Sequence, residues 1–143
     1  VASRPDSKTE DTSERQLNSS ALDTDAIERD VSTMGRAAVV REASPTRSQK
    51  QRAHLRGLGH ALKPTATIGH NGTTDAFAGA LDALLEQHEL VKVKLLESAP
   101  CSPEAASIWI HRVLRADVVQ ILGRTLLAYR ARDEKPQIKL PSA

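Results

Sequence analysis

The 143-residue sequence holds a single cysteine, Cys101, and one each of tryptophan, tyrosine, phenylalanine and methionine. One thiol can close no internal disulfide and supply no multi-thiolate metal site, so nothing points to an oxidising compartment and a cytoplasmic location is expected. No run approaches the roughly 18 apolar residues that a membrane span needs. The N-terminal stretch lacks the apolar centre of a signal peptide, and its many acidic residues argue against an organelle transit peptide. Metal-ligand spacing is missing too: His54 and His60 stand six apart, and there is no H-E-x-x-H pair or cysteine cluster. No metal, cofactor, small-molecule substrate or membrane partner is therefore expected. Of the three aromatic rings, Phe77 and Trp109 fall on core-facing helical positions, which leaves no platform for stacking successive bases.

What is present is unevenly spread. Residues 1–43 carry six Lys/Arg against nine Asp/Glu, with much Ser and Thr and few large apolar side chains. Such a segment buries too little surface to offset its ordering entropy, so it reads as an acidic, mostly disordered extension. Leu22, Ala26, Ile27 and Met34 sit loosely at helical spacing, and a short helix around 22–40 would be stable only if docked.

A globular pattern begins at residue 44 and runs to 131. Thr46 and Ser48 supply helix-start chemistry ahead of Leu55, Leu58 and Leu62 in a first core helix, which Gly57 and Gly59 weaken and Pro64 ends. Residues 65–68 read as a short strand, followed by Gly69-His70-Asn71-Gly72. Thr73 or Thr74 caps a second helix with Phe77, Ala80, Leu81, Leu84, Leu85 and His88 on one face. Val91, Val93 and Leu95 alternate with Lys92 and Lys94, as in a strand of a sheet covered on one side only. Ser102 as cap, Pro103 and Glu104 open a third helix that buries Ala106, Trp109, Ile110, Val113 and Leu114 and ends near Arg112 and Arg115. Residues 118–122 and 125–129 form a hairpin around Gly123-Arg124, where a glycine in first place suits a type II′ turn. The order α-β-α-β-α-β-β makes an α+β, two-layer domain with a four-stranded mixed sheet. Residues 132–143 read as a polar tail.

Between Glu42 and Asp75 there is no acidic residue, while Arg47, Lys50, Arg52, Arg56 and Lys63 give that stretch five positive charges. A solvated helix face usually mixes both signs, because like charges four residues apart repel. An acidic partner is the simplest reason to keep them together, and nucleic acid is the first candidate. The Gly69-to-Gly72 loop adds a second indication. Glycines flanking polar residues between a strand and a helix N-terminus let backbone N–H groups approach a phosphate. The plain alternative is an ordinary Asn-Gly turn. On this reading Arg47, Lys50, Arg52, Arg56 and Lys63 contact backbone phosphates. Gly69, His70, Asn71, Gly72 and Thr73 form the close-approach loop, and Lys92, Lys94, Arg124 and Arg130 make secondary contacts, all on a monomer.

Several segments, in order and at suitable separations, resemble the CRM domain, the chloroplast RNA splicing and ribosome maturation module whose bacterial single-domain members are YhbY-like proteins. They are Leu55-Arg56-Gly57-Leu58 with His60, Leu62, Lys63 and Pro64, then Ile68-Gly69-His70-Asn71-Gly72-Thr73. His88-Glu89-Leu90-Val91-Lys92-Val93-Lys94 and residues 121–130 complete the set, spanning about 48–131. The resemblance implies a fold similar to the C-terminal domain of translation initiation factor three, and a G-x-x-G loop like that of KH domains beside a basic helix. It also implies binding of structured ribosomal RNA on precursors of the large ribosomal subunit. Plant relatives with several copies assist group II intron splicing; a single copy favours the ribosomal role. Arg115-Ala116-Asp117 departs from the family, which often has a glycine-containing turn there.

An enzyme would have to draw on His54, His60, His70, His88, Glu89 or His111, and no nucleophile or oxyanion device accompanies them. Cys101 reads as inert. The stronger competitor is a protein–protein adaptor of the translation or ribosome-assembly machinery that uses the basic surface and an open sheet face bearing Lys92 and Lys94. A further expectation is that the acidic extension competes with RNA, so that removing residues 1–43 would tighten binding.

Overall fold

The computed structural model describes residues 24–142. In chain order, α1 spans Thr24–Val31, α2 Arg36–Ala43, α3 Gln49–Gly59, β1 Pro64–Ile68, α4 Asp75–His88, β2 Leu90–Leu95, α5 Pro103–Leu114, β3 Asp117–Leu122 and β4 Thr125–Tyr129. From α3 onward this is the α-β-α-β-α-β-β order expected, in an α+β fold.

Side-chain oxygens set the helix starts. The Ser48 hydroxyl accepts from the Gln51 N–H and the Gln51 side chain accepts from the Ser48 N–H, each at 3.0 Å, a reciprocal capping box. Thr74 serves the Phe77 N–H, and Ser102 serves Ala105 ahead of Pro103. Arg115 ends α5 in the left-handed region at φ 56°, where glycine is usual. The turn into β3 thus forms without the glycine.

The sheet order is β1-β2-β4-β3, with β1 parallel to β2 and the other pairs antiparallel. Pro64 begins an edge strand, a position that tolerates its missing N–H. Leu122 pairs with Thr125 around Gly123, whose φ of 59° suits the first central residue of a type II′ turn. One face of the sheet carries Val91, Val93, Leu95, Leu126 and Ala128 into the main core with Leu81 and Leu85 of α4 and Trp109 and Ile110 of α5.

Three expectations are corrected. First, residues 24–43 form α1 and α2 rather than a disordered extension. Ile27 and Val31, then Val39 and Ala43, are spaced one helical turn apart and buried in the main core. The Glu28 carboxylate accepts from both the N–H and the hydroxyl of Ser102, at 2.6 and 2.8 Å. Arg36 pairs with Glu104 at 2.6 Å and donates to the Gly123 carbonyl. Helices of eight residues gain their stability from such docking. They also explain why Ala105 to Ile110 are all buried, where one helical face was expected. The part of the expectation that concerns residues 1–23 lies outside the described residues.

Second, the other face of the sheet is not open. α3 crosses it, burying Leu55 against Leu90, Val119, Leu127 and Tyr129, so the arrangement is helix, sheet, helix. Gly59 permits the close approach, since a Cβ there would stand 2.6 Å from Leu127 Cδ2. Third, residues 132–142 are anchored. The Glu89 carboxylate, wholly buried, accepts from the backbone N–H groups of Arg132, Gln137 and Ile138 at 2.9, 2.7 and 2.9 Å. Burial alone would raise its pKa, but those three N–H groups and the Arg132 charge outweigh it and hold the carboxyl below its ordinary value. Ile138 and Leu140 then pack beside the α3 cluster, and Gln51 donates to the Pro141 carbonyl.

Smaller differences follow from these layers. α4 buries the narrow stripe Phe77, Leu81 and Leu85, leaving Ala80 and His88 exposed and Leu84 half-buried. Val113 and Leu114 are half-buried at the end of α5.

Candidate nucleic-acid interface

The cationic residues of the acid-free stretch divide by their surroundings. Arg47, just before α3, places Nε 2.8 Å from Asp117 Oδ2 and lies over the Tyr129 ring at 5.4 Å. Its charge is met internally, which corrects its assignment as a free phosphate ligand. Lys50 is exposed on the outer stripe of α3 with His54, and Lys63 is exposed just before β1. Arg52 and Arg56, one turn apart, are half-buried along the side of α3 that faces β3. Arg52 Nη1 donates to the Ser44 and Arg47 carbonyls, at 3.2 and 2.5 Å, and neither arginine meets a carboxylate among the described residues.

The secondary cations also separate. Lys94 is exposed, whereas Lys92 donates to the Leu62 carbonyl at 3.1 Å. Arg124 donates to the Leu95 and Leu96 carbonyls at 3.3 and 2.8 Å, tying the hairpin to the end of β2. Arg130 pairs with Asp82 at 2.9 Å and Glu86 at 3.3 Å, so it offers no unopposed charge, a second correction.

The Gly69-to-Gly72 loop is a hydrogen-bonded turn in which the Gly72 N–H donates to the Gly69 carbonyl at 2.9 Å. His70 and Asn71 both keep negative φ, and only Gly72 is left-handed, at φ 75°. It is therefore not the Asn-Gly turn in which both central residues are left-handed. A Cβ on Gly72 would also stand 3.0 Å from Pro100 Cγ, whereas Gly69 has ordinary clearance. His70 and Asn71 are exposed, and their backbone N–H groups make no hydrogen bond among the described residues. Thr73 is half-buried, its hydroxyl 2.8 Å from that of Thr24 at the start of α1. The turn opens onto a groove of about 410 Å³ between β1 and α4, with Thr65, Thr67, Ala76 and Ala80 along its walls. The α4 dipole favours an anion at this end, while Asp75 in the first turn opposes it.

No residue of α3 lines this groove. The Gly69-to-Gly72 loop lines one groove, while Arg52 and Arg56 of α3 line another. The feature that sequence reasoning missed is that Arg36 and Arg41 of α2 share a groove with Arg52 and Arg56. The clue lay in Val39 and Ala43, whose one-turn spacing docks α2, but two small apolar residues are a faint signal. Cys101 is buried, and that burial, with Glu28 nearby, pushes its thiol pKa up, away from nucleophilic reactivity.

Comparison with known proteins gives a consistent result. Residues 48–130 match the family model of the CRS1 / YhbY (CRM) domain. A protein of Haemophilus influenzae named "RNA-binding protein" is 36% identical over 99 residues, covering 67% of this chain and 96% of its own length. Pseudomonas aeruginosa and Bacillus subtilis proteins, named "Probable RNA-binding protein PA4753" and "Probable RNA-binding protein YqeI", are 33% and 30% identical. They cover 65% and 64% of this chain and 88% and 96% of their own lengths. The solution structure of Staphylococcus aureus SAV1595, described as a candidate RNA-binding protein, matches with a TM-score of 0.56 at 29% identity, covering 66% of this chain and 98% of its own.

Proposed function

The chain belongs to the CRS1 / YhbY (CRM) domain family, and from that premise we propose that it is an RNA-binding protein acting on structured ribosomal RNA in precursors of the large ribosomal subunit. The observation that carries the reading is the Gly69-to-Gly72 turn. It exposes N–H groups at His70 and Asn71 that have no acceptor among the described residues, at the mouth of a groove of about 410 Å³. Lys50, Arg52, Arg56 and Lys63 supply the long-range attraction and phosphate contacts, with Lys94 as a further exposed cation.

The chemistry is recognition without transformation. Phe77 and Trp109 lie buried with ring centroids 6.1 Å apart, and Tyr129 is buried beneath Arg47, so no Phe, Trp or Tyr ring offers a stacking surface. Backbone, shape and 2′-hydroxyl contacts are the mode left to such a surface. The adaptor reading loses support, because the open sheet face it requires is crossed by α3 and flanked by residues 138–140.

The test is binding of the full chain to protein-free large-subunit ribosomal RNA across a salt series. The expected result is an affinity that falls steeply with salt and weakens when Lys50 and Lys63 become alanine. Absence of binding to the naked RNA, with capture only by ribosomal or assembly proteins, would reject the proposal. Crosslinking in cells with sequencing of the bound RNA would identify the target.

A further inference from the structure

α2 lies outside the residues matched by the family model, yet it builds half of a groove with α3. Arg36 and Arg41 line one wall, Arg52 and Arg56 the other, around a space of about 310 Å³ beside the edge strand β3. Four guanidinium groups in one groove repel one another unless met by negative charge. Among the described residues only Arg36 of these four is met by a carboxylate, that of Glu104 at 2.6 Å. Among the described residues exposed Arg41 makes no side-chain hydrogen bond or ion pair, and Arg56 makes none either. Arg52 has Nη1 fixed by backbone carbonyls, which orients the planar fork while its other N–H groups have no acceptor among the described residues.

We propose that this groove is a second RNA-backbone site, in which Arg41, Arg52 and Arg56 clamp phosphates of an RNA whose adjoining segment meets the Gly69-to-Gly72 loop. The inference rests on the RNA-binding reading and adds to it a site made jointly by the family domain and the preceding helices. Guanidinium is the side chain suited to this work, since its fork matches two phosphate oxygens at once. The floor has the mixed character of a sugar-phosphate chain: Val40, Val119 and Ile121 are apolar, while Gln49 and Gln120 offer carboxamides that both donate and accept. A 2′-hydroxyl is also donor and acceptor, so these two residues favour RNA over DNA. An acidic peptide could also meet the arginines, and its amides could pair with the carboxamides, so polyglutamate enters the test as the competing occupant.

The experiment measures binding of a fluorescently labelled RNA hairpin to the full chain by anisotropy, across a salt series. The variants are Arg41→Ala, Arg41→Glu, Arg56→Ala and a control, Arg29→Glu. Arg29 is exposed on α1, away from the groove, and its replacement by Glu changes net charge as much as Arg41→Glu does. The expected result is that Arg41→Ala and Arg56→Ala each weaken binding several-fold and flatten the log–log salt slope by about 0.7 to 0.9. Arg41→Glu should do more, and Arg29→Glu should do markedly less. Gln49→Ala with Gln120→Ala should narrow the preference for the RNA hairpin over the same sequence in DNA.

Equal losses in Arg41→Glu and Arg29→Glu would overturn the groove as a site, leaving only general charge. Wild-type-like binding by the Arg41 and Arg56 variants would overturn it too, while RNA binding by the parent chain would leave the family reading standing. A parent chain that fails to bind the hairpin but binds polyglutamate through Arg41 would overturn both. Far-UV circular dichroism of each variant excludes loss of fold as the cause, and exposed Arg41 is the position least able to disturb it.

Discussion

Arg47 and Asp117, seventy residues apart, close a salt bridge of 2.8 Å that joins the start of α3 to the first residue of β3. The side chains are 25% and 11% exposed, so water screens the pair only partly, and the Tyr129 ring lies beneath the guanidinium. Arg47→Ala is expected to cost roughly 1 to 3 kcal/mol by leaving the Asp117 carboxylate short of a charged partner. Lys50→Ala should leave stability within about 0.5 kcal/mol, because the side chain is exposed, and should instead weaken RNA binding. Urea unfolding and hairpin anisotropy on the two variants separate a residue that holds the fold from one that meets ligand.

The two loop glycines should respond unequally. Gly69→Ala meets ordinary clearance, whereas Gly72→Ala places a side chain at φ 75° with its Cβ 3.0 Å from Pro100. The left-handed backbone alone costs about 1 to 2 kcal/mol, and Pro100 must also shift. Thermal unfolding should show a clear fall in Tm for Gly72→Ala and little for Gly69→Ala. Equal behaviour would mean that the turn geometry is wrong.

The docking of α1 gives a prediction opposite to that of a solvated extension. Ile27 is 1% exposed in the main core, so Ile27→Ala should cost about 2 to 5 kcal/mol through lost burial and the cavity left behind. Chemical denaturation measures it, and no change would return α1 to the status of a loose tail. Deleting residues 1–43, expected from the sequence to tighten RNA binding, would also remove the docked helices α1 and α2. That deletion strips α5 of the two helices packed on it and removes Arg41, so it should lower both stability and affinity.

Glu89 makes attachment of the C-terminal segment sensitive to acid. Its folded-state pKa is depressed, so its stabilisation is fully present above the unfolded value of about 4.3 and is lost as pH falls through the folded value. Protection of the Gln137 and Ile138 amides from hydrogen exchange should therefore decline below about pH 4.3, after correction for intrinsic rates. Glu89→Gln, which leaves one acceptor oxygen for three N–H groups, should reduce that protection even at neutral pH.

Much of the architecture was legible along the chain because its signals are local. Ser48, Thr74 and Ser102 announce helix starts through bonds to residues three positions on, and Gly123 announces the hairpin through its own φ. The alternation through Val91, Val93 and Leu95 marked one buried face correctly. It could not show what lies on the other, since Lys92 bends its amine to the Leu62 carbonyl while its aliphatic stem shares a face with Leu90. The acid-free run from Arg47 to Lys63 was equally plain, but its distribution in space was not. Arg47 meets Asp117 only because β3 brings that carboxylate back to α3, and Arg130 meets Asp82 and Glu86 only because β4 ends beside α4.

By itself the order of residues determined the type and order of the core elements, the hairpin, the glycine turn and the excess of positive charge before Asp75, each being a matter of neighbours a few positions apart. Tertiary structure alone decided which cations stay unopposed, that residues 24–43 and 132–142 belong to the folded body, and that Arg41 stands across a groove from Arg52 and Arg56. Those outcomes depend on groups tens of residues distant meeting in space, where a single carboxylate, carbonyl or apolar side chain settles whether a charge is spent inside the protein or offered to a ligand.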